Sequence, residues 1–293
     1  MYKKTEDERI YKGKIYMKVK LNKVQLILFP IILIVCLLSV GVALYMLFYN
    51  DADQVSAENS NLEDVTIQEL REDFENLFEN KLVDNGYNVS NINNKKNKDK
   101  DLVFTSYQKA DRSEGKYNLN ISIPSINIDD KNIEDINKEI VQIFQKKAEN
   151  VLAGVEINSI YDVKYQAYIN NGILSLVIQS TLKEGENAQR VIVKTYNYDI
   201  ENAKVIKLED AIAAKGLNDN EVANKIKEVI KEENDKAKAL QSIGYTVYNR
   251  DMRSDMYDLE KSKNFFIGKN NYLYIVYAYG NTNYTNQIDL VII

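Results

Sequence analysis

The stretch YDVKYQAYINNGILSLVIQS, Tyr161 to Ser180, decides the fold. In its first half Tyr161, Val163, Tyr165, Ala167 and Ile169 fall on every second residue. Side chains two apart share one face of a strand, so this half is a strand with an apolar side. Asn171 and Gly172 come next. Asn-Gly tolerates positive φ at both central positions of a tight hairpin turn. Leu174, Leu176 and Ile178 then give the apolar side of the returning strand. Working outward, the chain turns again near Gly185, and Val191 to Ile200 makes a third strand of an antiparallel meander. Upstream, LVFTSYQ (102–108) and KYNLNISI (116–123) read as strands, and Pro124 reads as a break. Asp129 or Asp130 caps a helix whose apolar face is Ile133, Ile136, Ile140, Ile143, Phe144 and Val151, with Gly154 just past its end. Downstream, Val222, Ile226, Val229, Ile230 and Ala237 line a second amphipathic helix. NYLYIVYAY (271–279) and NQIDLVII (286–293) are the closing strands. Strands and helices do not alternate regularly, so the expected class is α+β, with helices packed on an antiparallel sheet.

Before this domain the sequence changes character. Val24 to Tyr49 is a run of 26 residues without charge, and about 20 such residues span a bilayer as a helix. The run exceeds the ~7–15 apolar residues of a cleaved signal peptide. Lys18, Lys20 and Lys23 precede it, and Asp51 and Asp53 follow. Positive charge stays on the cytoplasmic side, so the expectation is a single-pass protein with residues 1–23 inside and the bulk outside the cell membrane. The inner tail carries eight bases against three acids. Its alternating KIYMKVKLNK suits either anionic lipid or a cytoplasmic partner that adds a strand. Residues 50–101 read as an acidic stalk helix and linker, with the domain proper at 102–293. Eleven acids and two bases fall in 50–84, whereas 85–293 carry 29 acids and 28 bases. Within the stalk, Ile67, Leu70, Phe74, Leu77 and Phe78 form an apolar stripe that needs a partner, either the domain itself or a second stalk. NVSNINNKKNKDKD (88–101) reads as a flexible linker or long loop.

The composition narrows the chemistry. The chain has no histidine and one cysteine, Cys36, inside the apolar run. Ser-His-Asp and Cys-His nucleophile systems and histidine-ligated zinc sites are thereby excluded, as is an intrachain disulfide. No cofactor, no metal and no nucleic-acid partner is expected. Carboxylates remain. Lys194 to Gly216 gathers Tyr196, Asn197, Tyr198, Asp199, Glu209 and Asp210. Asp199 to Asn202 has the composition of a turn, and Glu209 and Asp210 suit the first turn of a helix, so each has a structural reason to be there. Asp251, Asp255 and Asp258 have one-face helical spacing and read as a solvated surface.

TYNYD (Thr195 to Asp199) followed by KVIKLEDA (Lys204 to Ala211) resembles the signature of a bacterial extracytoplasmic domain. That domain is found in the lysozyme-sensing anti-sigma-V factor and beside the catalytic module of some peptidoglycan deacetylases. ISIPSIN (Ile121 to Asn127), INNGILSLVIQS (Ile169 to Ser180) and FFIGKNNYLYIVYAYG (Phe265 to Gly280) agree with it in order and spacing. The resemblance implies a non-catalytic binding or sensing domain whose ligand is lysozyme or peptidoglycan. Tyr272 and Tyr274 fall on one face of the closing strand, Tyr277 and Tyr279 on the other, and Tyr284 lies just beyond. These five are the candidate ligand-binding residues if exposed, since tyrosines stack on sugars and anchor protein interfaces. The alternative is that the rows complete a sheet core. Two other functions stay open: a wall hydrolase using carboxylates alone, and a structural anchor that docks a partner on the stalk.

Overall fold

A computed structural model of the chain describes residues 69–71, 73–89, 92–154 and 158–293. The expected tail, transmembrane run and first part of the stalk lie outside them. Contacts divide the chain after Thr66, and Ile67–Ile293 forms one compact unit. Among the described residues no helix is long and apolar enough to cross a membrane.

The central hairpin is as its sequence dictates. Strands β4 (Ser159–Asn170) and β5 (Ile173–Lys183) pair antiparallel from Ile160↔Lys183 to Asn170↔Ile173. Asn171 and Gly172 turn between them with φ of 49° and 79°, the double positive φ that matches strand twist. Strand β6 (Arg190–Asp199) continues the meander, and β7 (Lys204–Val205) ends it. On the far side, β2 (Val103–Ser113) and β3 (Tyr117–Ile126) form a second hairpin.

The sheet is mixed rather than purely antiparallel, which corrects the expectation. β3 runs parallel to the first half of β4. The link between them passes through helix α1 (Lys131–Ile140), a π turn (Val141–Gln145) and helix α2 (Lys146–Leu152). A helical crossover returns the chain in its original direction, which a tight turn cannot do. The second half of β4 is also paired in parallel, by β1 (Leu82–Asp84), so two strands share its one edge. Nor does Pro124 break β3. It sits opposite Thr105, where β2 bulges between Thr105 and Tyr107, and a bulge tolerates a residue that cannot donate.

The start of the domain also moves. β1 precedes the expected boundary at Leu102, and Phe74 is 3% exposed, with its ring 6.5 Å from Phe266. Leu70, Phe74, Leu77 and Phe78 of the stalk stripe therefore find their partner in the domain, and Asp73–Leu77 is a 3-10 turn rather than part of the expected stalk helix; burying a phenylalanine contributes about 1.5–3 kcal/mol. The polar segment read as a linker is held by Asn127. Its carbonyl oxygen accepts from Asn97 N at 2.9 Å, and its amide donates to Asn97 O at 2.6 Å and Lys100 O at 3.2 Å.

A second sheet is formed by β8 (Phe265–Ile267), β9 (Leu273–Ala278) and β10 (Ile288–Ile292), antiparallel in the order β10-β9-β8. Four layers result. Helix α1, the π turn and helix α2 cover one face of the large sheet through Ile133, Ile140, Phe144 and Val151. The other face packs Tyr168, Val177 and Val193 against Phe266, Tyr274 and Val276 of the small sheet. The small sheet's far face is covered by helices α3 (Leu208–Ala214) and α4 (Asp219–Ser242), through Ile212, Ile226 and Ile230.

Buried polar side chains join the two sheets. Asn197 Nδ2 donates to Phe265 O at 2.7 Å, and Ser175 Oγ accepts from Ile267 N at 3.0 Å while donating to Asn197 Oδ1 at 2.7 Å. Thr195 Oγ1 accepts from Phe265 N at 2.9 Å, and Asn170 donates to the carbonyls of Ile267 and Gly268. A buried strand edge must satisfy its backbone groups. Here Thr195 and Asn197 of TYNYD, together with Ser175 and Asn170, do so for β8.

Candidate functional site

The loop between β9 and β10 presents the candidate surface. After Ala278 the chain makes one 3-10 turn, Tyr279–Asn281. Gly280 presses against β6 so closely that a Cβ there would lie 2.0 Å from the Val191 carbonyl oxygen. Only glycine permits this approach. Val191 N then donates to Thr285 O at 3.0 Å, and Tyr279 N donates to Gln287 O at 3.2 Å. Both ends of the loop are thus pinned.

Beneath it lies a buried polar network. Arg250 makes a two-pronged ion pair with Asp289, Nη2 to Oδ1 at 2.5 Å and Nε to Oδ2 at 2.6 Å, with both side chains at most 3% exposed. Arg250 Nη1 also donates to Glu233 O on α4 at 3.0 Å. The Tyr279 hydroxyl donates to Asp289 Oδ2 at 2.5 Å and stands 3.1 Å from the Tyr257 hydroxyl. Tyr248 lies against the Tyr279 ring, with centroids 4.3 Å apart. Burial and the Asp289 charge raise the Tyr279 hydroxyl far above its ordinary value, so it remains a proton donor to the carboxylate. This network ties α4, the segment after it and β10 to the root of the loop.

At the loop's tip Tyr284 is 56% exposed, with the Arg190 guanidinium 5.5 Å from its ring centroid. Thr285 and Gln287 line a groove of about 390 Å³ whose other wall includes Lys236, Leu240 and Tyr248. Leu240, Ile243 and Tyr245, at and just beyond the end of α4, are exposed. Of these exposed side chains Leu240 lines the groove, and Tyr284, next in sequence to the lining residue Thr285, is of a type enriched at protein-binding hot spots.

The five candidate tyrosines do not stay together. Only Tyr284 belongs to this surface. Tyr274 is fully buried, stacked 4.5 Å from Phe266, and burial pushes its hydroxyl up to about 12. Tyr277 is buried with its hydroxyl 2.7 Å from Ser262 Oγ, and Tyr279 belongs to the network above. Tyr272 is partly buried beside the inter-sheet core. Both faces of β9 are covered, one by the large sheet and one by the helices, so these rows complete a core. Nothing in the sequence around Arg190, Gly280, Arg250 or Asp289 marks them as functional by pattern alone. Asp289 stands out only as a lone acid amid the apolar run LVII, and its partner lies 39 positions away.

Of the remaining carboxylates, Asp199, Asp210 and Asp251 are occupied locally. Asp199 accepts from the backbone N–H groups of Glu201 and Asn202 at 3.0 and 2.9 Å, and Asp210 accepts from Lys207 N at 2.9 Å. Asp251 accepts from Arg253 N, and Asp255 begins a separate 3-10 turn, so the three aspartates do not share a helical face. Among the described residues no group of three or more His, Cys, Asp or Glu could hold a metal ion.

No protein-family model matches the chain, and no curated protein matches it. Among solved structures, it is similar to a DUF3298 family protein from Pseudomonas aeruginosa, at 13% identity and a TM-score of 0.36, over 65% of this chain and 87% of that one. It is also similar to a DUF3298 family member from Bacteroides fragilis, at 13% identity and a TM-score of 0.33, over 60% of this chain and 80% of that one.

Proposed function

We propose that the protein is a single-pass, membrane-anchored binding or sensor protein of the bacterial envelope, non-catalytic, with Ile67–Ile293 held outside the cell. Its ligand on this reading is lysozyme or peptidoglycan. The observation that carries the binding role is the fixed loop with Tyr284 at its tip, held over a fully paired buried network. Such a loop loses little freedom on binding. The anchor and the orientation rest on the uncharged run Val24 to Tyr49 and the lysines before it. Against the stalk-docking alternative, Phe74 is buried in the domain's own core.

With 29 acids against 28 bases in residues 85–293, bulk charge gives a cationic ligand little attraction. Contact at the loop must supply the affinity. The test is capture of lysozyme, and separately of isolated peptidoglycan, by the full chain in neutral detergent. Binding of one of them, reduced at least tenfold by Tyr284→Ala, is the expected result. Failure of the native chain to bind either would overturn the reading.

A further inference from the structure

A second surface feature is built from β2, β3, β4 and β5, and it does not depend on the loop at Tyr284. At one end of the large sheet a cleft of about 450 Å³ is lined by Arg112, Lys116, Lys183, Asn118, Ser159 and Ile160, with Glu114 the one acid at its wall. The strand register explains why these residues meet. Arg112 pairs with Asn118, Asn118 with Ile160, and Ile160 with Lys183. Paired residues point to the same side of a sheet, so the four form one row across four strands. Lys116 joins them from the β2–β3 turn.

The three cations make no ion pair and no side-chain hydrogen bond among the described residues. That is unusual here, because most surface lysines nearby are engaged. Lys109 pairs with Asp111, and Lys147 and Arg190 both pair with Glu184. Ser159 precedes Ile160 in β4, so its side chain falls on the opposite, covered face of the sheet and takes no part in the row. Strands lie about 4.8 Å apart, so three steps separate the backbones of Arg112 and Lys183 by roughly 14 Å. With their backbones that far apart, the charged ends can each meet a different unit of an extended chain with repeated charges. The rim offers a single exposed apolar residue, Ile160, too little to insert into a lipid surface.

We propose that this cleft binds an extended anionic polymer carrying one oxyanion, phosphodiester or carboxylate, on each unit. Arg112 takes an oxyanion with its planar fork, and the two lysines act as point charges on neighbouring units.

The test uses the full chain in neutral detergent with three probes: fluorescent poly(glycerol phosphate), fluorescent polygalacturonate and phosphatidylglycerol vesicles. Binding of either polymer is expected, and the tighter of the two identifies the oxyanion. Its affinity should fall with salt at a log–log slope of roughly −2, about 0.7 per neutralised charge as for single strands. The triple change R112Q/K116Q/K183Q should weaken binding at least tenfold and flatten the slope. The charge-matched triple K227Q/K231Q/K238Q on α4 should change it less than twofold. Equal losses in the two triples, binding to vesicles alone, or no binding to either polymer would overturn the proposal.

Discussion

Replacing Arg250 by methionine leaves the Asp289 carboxylate inside the protein with only the Tyr279 hydroxyl at 2.5 Å and the Gln287 amide at 3.3 Å. The Asp289 side chain is 0% exposed and the Arg250 side chain 3%, so water cannot replace the lost guanidinium. Breaking one partner of a buried pair costs about 3–5 kcal/mol. Asp289→Leu should cost a similar amount, because it strands Arg250 with Glu233 O alone. The double change R250M/D289L removes both charges and keeps much of the volume, and such replacements are often close to neutral. The double mutant should therefore be more stable than either single one, with a coupling energy above about 2 kcal/mol. Urea unfolding followed by tyrosine near-UV signal is a suitable assay, since the chain has 21 tyrosines and no tryptophan. For a unit of this size the single mutants should lose roughly 6–20 °C in Tm. A loss below about 1 kcal/mol for R250M, or a double mutant as unstable as the sum of the singles, would refute the view that this pair fastens the loop's root.

Gly280→Ala places a Cβ against the Val191 carbonyl; the loop should leave β6, seen as faster amide exchange at Val191 and loss of ligand capture. Asn197→Ala strands the Phe265 carbonyl between the sheets and should cost about 1–3 kcal/mol in urea unfolding. Burial pushes Tyr198 and Tyr274 up to about 12 from an ordinary 10.0. The folded chain then keeps protons that the unfolded chain releases, so their contribution is intact below about pH 10 and is lost as pH rises toward 12. Tyrosinate absorbance should show a late, unfolding-linked step there, and complete titration of all tyrosines before unfolding would contradict it.

The elements legible in the sequence were those whose signal is local. The alternation from Tyr161 to Ile169, the Asn171-Gly172 turn and the apolar faces of α1, α2 and α4 each follow from neighbouring residues. What was not legible depends on distant partners. β1 is three residues in an acidic segment, and its pairing with Ala167 to Ile169 comes from more than 80 positions away. β8 has no alternation because both of its faces are buried, and its edge is satisfied by Thr195, Ser175 and Asn197. For the same reason the tyrosines of β9 could not be sorted into exposed and core rows: a sheet covered on both sides looks like one with two aromatic faces. Gly280 offered only its residue type, and its contact with Val191 exists only once β6 and the loop meet.

The proposed function requires that the domain face outward with Tyr284 accessible. The chain's single cysteine, Cys36, allows a clean test: Tyr284→Cys in a Cys36→Ser background, treated in whole cells with a membrane-impermeant maleimide. Labelling at position 284 in intact cells, diminished when the captured ligand is present, is the predicted result. Labelling that appears only after the cells are opened would contradict the account.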